Sequence, residues 1–192
     1  MKEMLKKLAR LLVGEYAIYQ IYTLALEGCA QTKPGQLTTY RIAPVDASAI
    51  KASPDALIRE QVGYTGPGSH AYACFDGDRI VGVCFYWFGS RYLTRNFWPL
   101  AEGEVKLVQI VSLPEMRGCG VATTLITWSC LDLVKKGFIR AYARIWHTNT
   151  PSLRAFKSSG WRQIALVIEI RPFRQTRPIR LRFNSNFLHR KT

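Results

Sequence analysis

The chain switches between two hydrophobic rhythms, and the switches divide it into elements. Residues 2–27, KEMLKKLARLLVGEYAIYQIYTLALE, place Leu5, Leu8, Leu12, Tyr19, Tyr22 and Leu26 at separations of three, four or seven, which predicts an amphipathic helix. Pro34 and Gly35 break that rhythm, and LTTYRIAP predicts a first strand. SPDALIREQV predicts a helix with Ser53 as its cap and Pro54 as its first residue. After the glycine-rich loop GYTGPGSH, two β-prone runs flank Asp76, Gly77 and Asp78 and predict a hairpin. The aromatic stretch SRYLTRNFWPLAEG reads as a loop. The unbroken apolar run in EVKLVQIVSL suits a central strand covered on both faces. GVATTLITWSCLDLVKKG predicts a helix with Val121, Leu125, Trp128 and Leu131 or Asp132 on successive turns, ended by Gly137. FIRAYARIWH alternates as a strand, NTPSLRAFKSSG reads as a short helix, and WRQIALVIEIRPF with IRLRFN completes a strand pair. The order of elements predicts an α/β chain with a mixed sheet. Residues 1–30 are expected to form an appended amphipathic helix, and residues 31–192 one domain ending in a basic strand and tail.

Composition narrows the partners. A chain of 192 residues with a net charge of +14 favours acidic ones: nucleic acid, anionic lipid, an acidic carrier protein or a phosphorylated ligand. Seven Arg or Lys and no acid fall between Arg171 and Thr192. That tail alternates basic with apolar residues, as a strand with one solvated face does, which weighs against nucleic acid. The five cysteines include no C-x-x-C pair and the three histidines are scattered, so neither a disulfide framework nor a metal site is expected. The reading is a reducing, cytoplasmic compartment. The front segment has no cleavage site, and Glu15 and Gln20 interrupt it, so it is neither a signal peptide nor a membrane span. It is open to lying on a membrane surface, packing on the domain or mediating a homodimer.

The stretch SLPEMRGCGVATTL carries the first chemistry. Glycine is poor inside a helix, yet Gly118 and Gly120 stand where one begins. The orphan N–H groups and positive dipole end of a helix start bind phosphate, and glycines let it approach. A dinucleotide fingerprint fails at Thr123, and a P-loop fails for want of its lysine. The pattern R/Q-x-x-G-x-G/A is met by Arg117, Gly120 and Ala122.

Downstream, Asn149, Ser152, Phe156, Gly160 and Trp161 fit N-x-x-[AS]-x-x-x-[YF]-x-x-x-G-[FW]. Together the two motifs closely resemble the GCN5-related N-acetyltransferase (GNAT) superfamily, over about residues 41–171. The resemblance implies a mixed central sheet flanked by helices, with acetyl-CoA or another acyl thioester as co-substrate and no metal. It implies pantetheine pairing with strand amides at Ile110, Val111 and Ser112, one of which stabilises the oxyanion. It implies a pyrophosphate held by Arg117 and by the amides of Gly118, Cys119, Gly120, Val121, Ala122 and Thr123. Asn149 would touch the pantetheine arm near Ser152, with Phe156 packed beneath. Relatives often place tyrosine at Phe156 as the acid for the leaving thiolate; Phe156 cannot serve, and Cys130, Ser152 and water remain. Candidate bases are Glu104, Glu102 and His147, with His70 a further option. Tyr86, Trp87, Phe88, Tyr92, Phe97 and Trp98 with Arg91 and Arg95 are expected to shape an acceptor pocket.

The expected activity is acetyl transfer to a primary amine of a small molecule, such as an amino sugar or amino acid. Two alternatives stay open: a longer acyl chain delivered by an acyl carrier protein, and a non-catalytic basic module on membrane or nucleic acid.

Overall fold

A computed structural model describes residues 15–27, 40–95, 97–171 and 178–184. Its strands are β1 (Glu15–Ala25), β2 (Arg41–Pro44), β3 (Ser69–Asp76), β4 (Arg79–Trp87), β5 (Glu104–Ser112), β6 (Arg140–Trp146), β7 (Arg162–Arg171) and β8 (Ile179–Asn184). Its helices are α1 (Ala47–Lys51), α2 (Ala56–Arg59), α3 (Gly89–Leu93), α4 (Val121–Lys135) and α5 (Thr150–Ser158), with 3-10 turns at Glu60–Tyr64 and Pro114–Met116. The eight strands form one sheet in the order β2-β3-β4-β5-β6-β1-β7-β8. All neighbours run antiparallel except β5 and β6. The mixed sheet flanked by helices is the predicted fold class.

The front segment departs from its prediction. Residues 1–14 lie outside the described residues, but Glu15–Ala25 is a strand, not a helix. Tyr, Ile and Thr supply most of it, residues that fit a pleated surface. Tyr19 and Ile21 point to one face of the sheet, and Tyr22, Leu24 and Leu26 to the other. The ladder to β6 runs over Tyr19–Ala25 and the ladder to β7 over Glu15–Thr23, so both edges of β1 are hydrogen-bonded. The residues spaced like a helix are therefore the two faces of a central strand, and 15–25 is sheet interior rather than an appendage.

Smaller shifts have local causes. Asp46 caps α1, an element absent from the sequence reading, by accepting from Ala49 N at 2.9 Å. The helix expected at Ser53 begins at Ala56 behind Asp55, and Ser53 Oγ instead accepts from Asp55 N at 3.3 Å. The buried side of α4 is Val121, Leu125, Ile126, Ser129, Cys130 and Leu133, turned slightly from the predicted stripe. Gly82 on β4 lets α4 lie flat: a Cβ there would meet Val121 Cγ1 at 2.6 Å.

Ile21 is fully buried in β1. Ile21→Ala is expected to lower stability by about 2–4 kcal/mol in urea unfolding. A loss under about 0.5 kcal/mol, as at an exposed surface position, would show that the segment is dispensable to the core.

Candidate active site

β5 and β6 run side by side for only four residue pairs, from Glu104↔Arg140 to Leu107↔Ala143. At that point the β4–β5 ladder slips: Tyr86 faces Leu107, Phe85 faces Gln109, and Val108 is the extra residue. Such a bulge bends its strand and increases the local twist. β6 continues along β1 to Trp146, while β5 continues along β4 to Ser112. The sheet therefore opens between them.

The open edge can be assigned residue by residue. Leu113 N donates to Val81 O at 2.9 Å, so Leu113 faces β4. Backbone groups alternate sides along a strand, so Val111 faces β4 as well, and Ile110 and Ser112 turn their N–H groups to the gap. The predicted pantetheine amides thus divide, with Val111 already committed to the sheet.

Beyond β5 the chain makes the glycine turn. Gly118 and Gly120 have φ of +83° and +81°, and a Cβ at either would meet nothing within 4 Å. Both glycines are thus required by backbone conformation, and the space beside them is open. Gly120 is the N-cap of α4 and no side chain caps it, so the first-turn amides face outward unpartnered. Arg79 fixes the turn, donating to Asp55 Oδ1 at 2.7 Å and to Glu115 Oε1 at 2.9 Å. Glu115 is thereby structural. Such a cradle fits a pyrophosphate.

A cavity of about 500 Å³ lies in the gap. Toward the cradle its walls include Ile110, Asn149, Ser152 and Phe156. Asn149 caps α5, its Oδ1 accepting from Ser152 N at 3.2 Å. Phe156 is buried and meets Trp161 edge-on at 4.9 Å. At the other end stand Tyr92, Arg95, Phe97, Lys106, Arg144 and Arg180.

The three candidate bases are not brought to this cavity. Glu104 accepts from Ala101 N at 2.9 Å and Tyr142 Oη at 3.0 Å and pairs with Arg140, so both its oxygens hold structure. Glu102 sits exposed in the turn before β5. His147 is exposed, and its Nδ1 faces Ile18 O at 3.2 Å. His70 is packed between Phe88 and Phe138, and burial lowers its pKa. Cys130 is buried beside Tyr86, away from the cavity. Of the expected acceptor aromatics, Tyr92 and Phe97 line the cavity with Arg95. Trp87 is stacked by Arg91 and Arg95, and Tyr86 is buried against Ser129.

The sequence reading missed Lys106. It is 3% exposed, on the face of β5 turned to Phe97, and its Nζ has no hydrogen-bond partner among the described residues. Burial, with Arg144 nearby, pushes its pKa down to about 7. A lone lysine in the apolar run EVKLVQIV was the available signal.

A model of the acetyltransferase (GNAT) family matches residues 36–161. A comparison with curated proteins finds no match. Among solved structures, a protein from Novosphingobium aromaticivorans assigned to the GNAT acetyltransferases is 15% identical, with a TM-score of 0.53 over 82% of this chain and 65% of its own. A GCN5-related N-acetyltransferase from Kribbella flavida is 12% identical, with a TM-score of 0.51 over 80% and 58%. A Staphylococcus epidermidis protein of unknown function is 12% identical, with a TM-score of 0.58 over 88% and 67%. This chain therefore spans under two thirds of the length of the first two. At such identities the likeness concerns the fold.

Removing the buried amine tests the site's strain. Lys106→Met is expected to raise stability at pH 7 by about 2–4 kcal/mol. The unfolded lysine binds a proton that the folded one sheds above about pH 7. Wild-type stability should therefore rise relative to the variant as pH climbs from 7 toward 10. Urea unfolding at pH 7 and pH 9 checks both signs.

Proposed function

We propose that this chain, which belongs to the acetyltransferase (GNAT) family, transfers an acetyl group from acetyl-CoA to a primary amine of a small molecule by direct attack. The observation that carries the reading is the succession of three features along one strand: the open glycine turn after β5, the unpaired edge of β5, and the pocket beside that edge. The residues suit the donor. The uncapped start of α4, with the amides of Val121, Ala122 and Thr123 and with Arg117, Gly118 and Gly120 beside them, would receive the pyrophosphate, whereas the predicted Cys119 amide is already bonded to Met116 O at 3.3 Å. The free N–H groups of Ile110 and Ser112 would pair with the pantetheine arm as an added strand does. One of them would sit opposite the thioester carbonyl and stabilise the oxyanion as the amine adds. A cradle shaped for a pyrophosphate favours coenzyme A over the single phosphate of a carrier protein.

Proton handling follows from the lining. Among the described residues the cavity presents no carboxylate and no imidazole. Lys106 shows what the site does to an amine: burial and the neighbouring guanidinium make it shed its proton near neutrality. An acceptor amine beside the same guanidinium is disfavoured as a cation, which lowers its pKa in the same direction and eases its deprotonation by water. It attacks the carbonyl carbon, the C–S bond breaks, and the proton lost by nitrogen leaves through water. Ser152 supplies a hydroxyl on the cavity wall. A cytoplasmic location agrees with the free cysteines and is part of this reading.

Two measurements test it. Titration with acetyl-CoA should give a micromolar dissociation constant, about −8 kcal/mol, and Gly120→Trp should abolish binding while circular dichroism shows a folded protein. His147→Gln should retain turnover within about threefold, measured by thiol release. A loss of about 10²-fold, the scale of a general base, would restore His147 to the mechanism.

A further inference from the structure

We infer that the acceptor carries an anionic group, a carboxylate or a phosphate, held by Lys106, Arg144 and Arg180 around the ring of Phe97. This rests on the acyl-transfer reading of the same cavity. Lys106 Nζ lies 5.9 Å from the Phe97 centroid, and the guanidinium carbons of Arg144 and Arg180 lie 4.3 Å and 4.9 Å from it. Three side chains from β5, β6 and β8 thus converge on one aromatic ring. Each contact with the ring face is attractive, but the cations repel one another. Among the described residues only Arg180 of the three has an acid, Glu169 Oε2 at 2.8 Å, which holds its guanidinium in place. Among the described residues Tyr92 and Arg95 from the α3 segment and Tyr19 from β1 also stand near the ring, Arg171 and the already paired Glu169 act on Tyr19, and none of Tyr92, Arg95 and Tyr19 carries a carboxylate. A buried ammonium without a hydrogen-bond acceptor is costly, and an anion placed among these groups relieves that cost and the repulsion together.

The donor's own phosphates do not account for the cluster. The glycine cradle follows Ser112, and Lys106 lies six residues back along β5, about 20 Å in an extended strand. The open edge of β5 therefore has an anion-seeking feature at each end, with Ile110 between them. Lys106 and Ile110 are four residues apart, so the acceptor's amine and its anion are separated by at most about 13 Å. That suits a compact molecule of amino-acid or amino-phosphate size. A polycationic amine would place its extra ammonium groups against three guanidinium groups, with Lys106 beside them.

The test titrates the protein, saturated with CoA, by calorimetry with succinate and separately with inorganic phosphate. We expect saturable binding of at least one probe, with a dissociation constant of about 1 mM or tighter. The probe that binds distinguishes a carboxylate from a phosphate acceptor. Lys106→Met and, independently, Arg144→Gln should weaken it about tenfold or more while CoA binding is unchanged. Binding of neither probe, or binding indifferent to both substitutions, overturns the inference. Failure of CoA itself to bind overturns the acyl-transfer reading instead. In turnover with acetyl-CoA, O-phosphoethanolamine or glycine should exceed ethanolamine or glycinamide, and a preference for polyamines would also overturn the inference.

Discussion

The separation of β5 from β6 after Leu107 and Ala143 is the constraint on which the site depends. Backbone N–H and C=O groups inside a sheet are almost always paired, and leaving them unpaired is costly. Here a bulge at Val108 turns one strand aside and exposes a short row of such groups in the middle of the molecule. β4 holds the other edge of β5 in register through Ser112, so the opening is fixed rather than frayed. A ligand that can act as a strand completes the sheet. The same bend delivers the chain into the glycine turn, where the start of α4 supplies a second set of unpaired amides. One backbone deviation thus aligns an open strand edge with an uncapped helix start.

The two ends of that slot differ in chemistry. At the cradle the attraction for an anion is backbone, from amides and a helix start. At the far end it is side chain, with cations on three strands meeting at Phe97. The family match ends at residue 161 and begins at residue 36. The slot, the cradle, Lys106, Phe97 and Arg144 lie within it, whereas Arg180 and Tyr19 lie outside. Acyl transfer is supported by the shared part, and the cationic end draws on β1 and β8, which lie outside it.

Much of this was legible from residue order. The glycine turn, the helix after it and the Asn149 motif are local, with fixed spacing set by backbone conformation, and they fall at the predicted residues. The β1 segment was not legible, because Tyr19, Tyr22 and Leu26 satisfy a helical spacing and also, on opposite faces, a strand. What decides it is the presence of β6 and β7 on either side, which is long-range information. The candidate bases stand away from the cavity for a related reason. Glu104 sits on the expected strand, but its oxygens are taken by Ala101, Tyr142 and Arg140, two of which lie on a strand 36 residues away or more. Lys106 was passed over because one lysine in an apolar strand says nothing alone. Its meaning comes from Arg144 and Arg180, which are remote in sequence.

The most direct measurement is amide hydrogen exchange along β5, read by NMR with and without saturating acetyl-CoA. In the free protein Val111 and Leu113 should be protected through β4, while Ile110 and Ser112 exchange quickly. On binding, Ile110 and Ser112 should gain protection and the other two should change little. Acetyl-CoA that binds and leaves Ile110 and Ser112 exchanging as before would contradict the claim that the opened edge of β5 receives the donor.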